Sequence, residues 1–307
     1  MSDLPATLTY FGNLQNIGQV INKLALPVQE AHQLRDPFLP DRYTSLAFTS
    51  QDMFDASVKF IAHAILGKSP PKGQPNHPLQ KAIMRWRMEN RFNDESEIKE
   101  ALQGLLPAMV EKAFNEAKEC HQAWVDYVSS KRVIRFCEKF QDLALWELAG
   151  AGYRGAAIKF KCSEDSIFKY CHPVNYQRWP AVTVNQQDYV EHMVGSIPEI
   201  EFNPEKTLLT QNYAHRQFKE WRLLVDADEH DEQWLEFPIN LIQSVYIGAL
   251  VPDKTVEQLK NHLARLGPFI NVYHARCKAN EFSFEFEKVS ENLTESEEAE
   301  ESTENAH

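Results

Sequence analysis

A chain of 307 residues can bury a sizeable core, and ordinary domain sizes allow one large domain or two small ones. An apolar fraction of 43% and an aromatic fraction of 11% belong to a folded chain, and no apolar run approaches the ~18 residues of a membrane span. The net charge of −12 is uneven: residues 290–307 hold seven Glu and no Lys or Arg, leaving −5 on the body, which argues against a broad electrostatic grip on nucleic acid but leaves a local basic groove open.

Leu8 to Phe11 predicts a short strand, Gly12-Asn13 a turn or cap, and Leu14, Ile17, Val20, Ile21 and Leu24 one face of a helix. Leu24 to Val28 reads as a second extended segment that Pro27 places at a sheet edge or strand end. A loop rich in proline and charge follows from Glu30 to Arg42. Tyr43 to Thr49 alternates weakly and closes on a Thr49-Ser50 cap, after which Met53, Phe54, Val58, Ile61, Ile65 and Leu66 mark an amphipathic helix. Four Pro and two Gly between Gly67 and Pro78 predict an exposed loop. From Leu79 to Tyr127 the pattern is helical with one interruption around Pro107, as in a helical insert.

Beyond it the period changes. Val133 to Phe136, Ala156 to Phe160, Val174 to Tyr176, Trp221 to Val225, Val245 to Ile247 and Ile270 to Tyr273 have the length and content of strands, and Phe282 to Glu287 alternates as a strand with one wet face does. Leu143 to Leu148 and Asp253 to Leu266 predict helices. A helix-rich first half before a strand-rich second half indicates an α+β fold with a mostly antiparallel sheet. The expected organisation is one domain over residues 1–289, with 79–127 as a helical insert. The acidic tail over 290–307 reads as disordered and solubilising, its alternative being an interaction segment.

Five scattered Cys without a C-x-x-C pair suit reduced thiols in the cytoplasm better than a disulfide framework, and the first twenty residues lack the basic start and apolar run of a signal peptide. Cys162, Cys171 and His172 lack the usual zinc-ligand spacing, so no metal is expected. Gly150-x-Gly152-x-x-Gly155 has the letters of a dinucleotide fingerprint but follows a helix and enters a strand, which reads as a tight turn.

The stretch Phe218 to Val225 sets one glutamate, Glu220, between bulky residues at the start of an apolar strand. Desolvation beside Trp221 would poise its carboxylate for charge stabilisation; the structural alternative is an ion pair with Arg222, two residues along the same strand face. Arg222 could equally hold a ligand phosphate. Tyr10 offers a ring to stack and a phenol to donate, against the commoner outcome of a core tyrosine. Trp146 and Trp221 read by default as core anchors. Cys137 would need a His partner to act as a nucleophile, and His215 is the candidate.

These stretches together resemble a bacterial family catalogued as domain of unknown function, family 2971. Leu8-Thr9-Tyr10-Phe11-Gly12-Asn13 before Leu14-Gln15-Asn16-Ile17 is similar to its first strand and helix, and Met53-Phe54-Asp55-Ala56-Ser57 in part to its Asn-Asp-Pro-x-Glu motif. Arg135-Phe136-Cys137, Asp142-Leu143-Ala144-Leu145-Trp146 and Gly155-Ala156-Ala157-Ile158 resemble its Ser strand, its Asp-x-Leu-x-x-Trp helix and its Gly-hydrophobic strand. Val174-Asn175-Tyr176, Thr210-Gln211 with His215 to Arg222, and Ile242 to Gly248 follow in the family's order. The motif order is distantly similar to ADP-ribosyltransferases, which cleave NAD. The resemblance implies a nucleotide or NAD-like ligand, with Glu220 catalytic and Tyr10, Cys137, Glu138, Trp146, His215 and Arg222 binding, and a setting in phage defence or toxin systems. Tyr10 stands where the family has His, Cys137 or Glu138 (depending on register) where it has a second Ser, and Phe218 where it has the first Glu. Those departures define the alternative, a binding or regulatory protein on the same scaffold whose catalysis has lapsed, with a nucleotide or protein partner, no membrane, and nucleic acid left open.

Overall fold

The computed structural model of the chain describes residues 4–34, 36–42, 46–69, 73–227, 233–267 and 269–289. The expected acidic tail lies outside the described residues, as do parts of the weak alternation at residues 43–45 and of the proline-rich loop at 70–72. In chain order the elements are β1 (Thr7–Gly12), α1 (Leu14–Lys23), β2 (Ala25–Pro27), β3 (Gln29–Glu30), α2 (Ser50–Leu66), α3 (Pro78–Met88), α4 (Glu95–Leu102) and α5 (Leu106–Ser129). There follow β4 (Lys131–Cys137), α6 (Leu143–Leu148), β5 (Ala156–Lys161), β6 (Cys171–Pro173), β7 (Asn175–Gln177), α7 (Gln186–Val194), α8 (Glu205–Leu208) and β8 (Thr210–Asn212). The chain continues with β9 (Glu220–Asp226), β10 (Trp234–Glu236), β11 (Ile242–Ile247), α9 (Asp253–Leu266), β12 (Asn271–Cys277) and β13 (Phe284–Lys288). The fold is α+β.

The chain divides into two compact units. One takes residues 31–130 and 179–210, so the helices expected as an insert belong with Ala31–Leu66 and with α7. Its core is helical: Met53, Ile61 and Ile65 of α2, Ile83 and Trp86 of α3, Ile98 and Leu102 of α4, Val110 and Ala117 of α5, and Val190 and Val194 of α7. The Thr49 hydroxyl accepts from the Asp52 N–H while the Asp52 carboxylate accepts from the Thr49 N–H, a reciprocal cap that starts α2 where the sequence places it. The interruption expected at Pro107 is different in kind. Pro107 opens α5, where a missing N–H costs nothing, and the chain breaks earlier, at Asn90 with its left-handed φ of 47° and again at Gln103–Leu105.

The other unit takes residues 4–30, 131–178 and the described residues from 211 onward. Its main sheet has the order β13-β12-β11-β5-β1-β4-β9-β6, with β3 also on β4. β1, from the very start of the chain, is therefore central, so the sheet is not confined to the second half. Strand pairs are antiparallel except β11 and β12, which run parallel and are joined through α9. Leu8, Ile134, Phe136, Ile158, Phe160, Trp221, Leu223, Val225, Val245 and Val272 form one face. It packs under Ile17, Val20 and Ile21 of α1 and Val256, Leu259 and Leu263 of α9, both at helical spacing. Alternation sends Phe11, Ala157, Tyr246, Tyr273, Phe284 and Phe286 to the opposite face, where they cluster around Trp146 of α6.

The glycine-rich stretch is a turn between α6 and β5, with Ala151, Gly152 and Tyr153 successively left-handed at φ 53°, 61° and 65°. At its end Gly155 passes so close to β1 that a Cβ would sit 2.2 Å from the Gly12 carbonyl oxygen. Gly155→Ala must push two backbones apart and is expected to cost about 1–3 kcal/mol, read as a lower urea midpoint in the purified protein.

Candidate functional site

The register of β4 on β9 pairs Arg135 with Arg222 and Cys137 with Glu220. Because Phe136 and Trp221 are committed to the core, these four side chains share the other face. Two guanidiniums directly across an antiparallel pair repel each other, and Glu220 supplies the counter-charge between them. Arg135 donates from Nε to Oε1 at 2.9 Å and from Nη2 to Oε2 at 2.7 Å, a two-pronged grip, while Arg222 donates from Nε to Oε1 at 2.7 Å. The Glu220 and Arg222 side chains are each 1% exposed, but that of Arg135 is 43% exposed. The cluster is thus one carboxylate against two cations, with a single net positive charge whose exposed part is Arg135.

The surroundings hold this arrangement in place. Arg222 Nη2 donates to Gln211 Oε1 at 3.1 Å, the Glu220 N–H donates to the Tyr176 hydroxyl at 2.7 Å, and the Glu220 carbonyl accepts from the Val174 N–H at 2.9 Å. Burial works to raise the Glu220 carboxyl, but the charges and hydrogen bonds of Arg222 and Arg135 outweigh it and hold the group at about 2. Burial likewise opposes the charge on Arg135, which Glu220 more than restores. Just before the cluster, Lys219 is left-handed at φ 46° and its Nζ lies 3.0 Å from the Glu138 carboxylate.

The residues expected from the sequence fall into three groups. Glu220 and Arg222 meet in the ion pair that was the structural alternative, with Cys137 across the ladder from Glu220. Cys137 packs on Leu145 and Phe218, and burial, then the Glu220 charge, push its thiol well above the ordinary range, which disfavours the thiolate that a nucleophile needs. His215 stacks on Phe218 with ring centroids 5.5 Å apart. Glu138 accepts from Trp221 Nε1 at 3.0 Å as well as from Lys219, a bracket that fixes the strand end.

Tyr10 and Trp146 do not join them. Tyr10 lies on the core face of β1, edge-on to Phe136 at 6.3 Å, and burial pushes its phenol up to about 12. It is separated from Cys137 and Glu220 by the sheet itself, because strand alternation sends Thr9 and Phe11, not Tyr10, to their face. Trp146 is fully buried, donates from Nε1 to the Phe140 carbonyl at 2.7 Å and meets Phe11 edge-on at 5.3 Å, which makes it a core anchor.

Arg135, Tyr176 and Gln211 are the members that sequence reasoning missed. The signal for Arg135 was a lone charge inside Val133-Ile134-Arg135-Phe136; a cation placed in an apolar strand requires an anion on the neighbouring one. Among the described residues no group of three or more His, Cys, Asp or Glu side chains could hold a metal ion, and no helix is long and apolar enough to cross a membrane. Compared with family models, curated proteins and solved structures, the chain finds no match.

Removing the shared anion leaves two facing guanidiniums, one of them buried, so Glu220→Ala is expected to lose about 3–5 kcal/mol in urea denaturation. Arg135→Ala, at the half-exposed end, is expected to lose about 1–3 kcal/mol, and the double variant less than the sum. A carboxyl held at about 2 when folded and ordinary when unfolded contributes stability that is complete above the ordinary value of 4.5 and is lost as pH falls from there towards 2. Unfolding midpoints measured down that range should fall, and the fall should be shallower in Glu220→Gln.

Proposed function

We propose that the chain is a binding or regulatory protein that recognises an anionic ligand, foremost the phosphate of NAD or another nucleotide. Glu220 serves that recognition by holding Arg135 in place and takes no part in a reaction. One observation carries this reading: the Glu220 carboxylate, 1% exposed, receives three charge-assisted hydrogen bonds from two guanidiniums. A carboxylate that stabilises an oxocarbenium-like centre must turn a free edge towards the ligand. Three of the roughly four acceptor positions of this one are occupied. Arg135 is the reverse case, since the edge formed by Nε and Nη2 is anchored and Nη1 remains for an anion approaching from solvent. A planar fork already locked in position loses little freedom on binding phosphate. The choice of a nucleotide among anions rests on the resemblance of the motif order to family 2971 and, distantly, to ADP-ribosyltransferases.

Thermal unfolding of the purified protein with NAD, ADP and inorganic phosphate tests the reading. A ligand at a hundredfold excess over its Kd stabilises by about 2.7 kcal/mol. The expected result is a melting temperature raised by a nucleotide in the wild type, unchanged in Arg135→Gln, with no nicotinamide released from NAD. Release of nicotinamide by the wild type but not by Glu220→Gln would overturn it in favour of an active transferase.

A further inference from the structure

At the other end of the same unit lies a cleft of about 570 Å³, within the usual range of small-molecule sites. It opens where β11 and β12 end, bounded by the turn before β5, the turn after β11 and the connection from β12 to β13. β11 and β12 are the parallel pair, and the carboxyl ends of parallel strands are where open sheets with crossover helices hold ligands.

We propose that this cleft binds a neutral, planar, fused-ring heterocycle. Its lining is largely aromatic and aliphatic, with Tyr153, Phe282, Phe284, Leu143 and Leu250. Phe282 is fully exposed, a large apolar ring turned to solvent. Charge is cancelled within the lining: Lys278 Nζ is 3.1 Å from Glu281, whose other oxygen accepts from Ser283 Oγ at 3.0 Å. A charged ligand would give up water for a neutral wall, whereas flat π-faces lose little hydration and gain stacking area. The Asn280 amide and the Tyr153 phenol supply the few polar contacts that orient a heterocycle.

The backbone of Tyr153 supports a built site. A left-handed tyrosine is an unfavourable conformer that persists only where its surroundings impose it. Here its carbonyl accepts from the Leu250 N–H at 3.0 Å and its N–H donates to the Trp146 carbonyl at 3.1 Å. Gly248 approaches so closely that a Cβ would lie 2.2 Å from the Tyr153 oxygen. Two turns are thereby clamped together, and Tyr153 is held in the lining of the cleft.

The test uses the full chain and riboflavin, a neutral tricyclic heterocycle whose fluorescence is quenched by aromatic stacking. The exposed thiol of Cys277, in the cleft lining, is a local reporter through its alkylation by iodoacetamide, located by peptide mass. Expected are saturable one-to-one quenching, at least fivefold slower alkylation of Cys277 at saturation, and at least tenfold weaker binding in Phe282→Ala, a change at a surface ring that leaves the fold intact. Arg135→Gln should bind riboflavin as the wild type does, which separates this site from the anion site. No saturable quenching, quenching without protection of Cys277, or equal binding by Phe282→Ala would each overturn the proposal.

Discussion

Two arginines stand opposite each other in the sheet, and one carboxylate keeps them there. That constraint fixes more than a pair of side chains. A one-residue slip of β4 against β9 would carry Arg135 into the apolar face, away from Glu220, and bring Phe136 out of it. Hydrophobic alternation already opposes such a slip, and the ionic cluster opposes it again from the other side. Buried ion triads are not strong stabilisers relative to an apolar core of the same volume. Here the cluster is better understood as a device that fixes register and holds a cation half in water.

The second face of the sheet has two unlike ends. Around β4 and β9 it is ionic, built on Arg135, Glu220 and Arg222; around β11 to β13 it is aromatic, with Tyr246 stacked on Tyr273 at 5.1 Å and on Phe140 at 4.1 Å. Phe11 and Leu145 belong to the packing between them. The first face packs under α1 and α9 and is mainly apolar, with His274 buried in it near Asp253 of α9. Both proposed ligand sites thus draw on one side of the sheet, while the opposite side is covered by helices.

Much of this was legible because it depends on local rules. The Asn13 side chain does accept from the Asn16 N–H at the start of α1, and Thr49 caps α2 as its sequence position indicates. The alternation from Phe282 to Glu287 becomes an edge strand, and Pro27 falls in the short ribbon of β2 with β10, away from the main sheet. What stayed hidden depends on pairing at a distance. Nothing local to Val133-Ile134-Arg135-Phe136 shows that its arginine meets residue 220, because that contact follows from a register between strands eighty-five residues apart. Tyr10 was misplaced for a related reason: a motif order along the chain carries no information about sheet faces, whereas the parity of a position within its strand does.

The position of β1 has a consequence for how the molecule is made. It pairs with β5 on one side and β4 on the other, so this strand is completed only by strands that follow the long helical stretch. At ordinary elongation rates about 150 residues, or roughly 7–30 s, separate its emergence from the release of its last partner. Until β4 emerges, Leu8, Tyr10 and Phe11 have neither of β1's partner strands to pair with, and α1 has only part of the surface it will cover. Pairing at such a sequence separation also places this sheet among slow-folding topologies. The nascent chain thus carries the apolar β1–α1 segment in waiting, the kind of segment that chaperones hold until its neighbours exist.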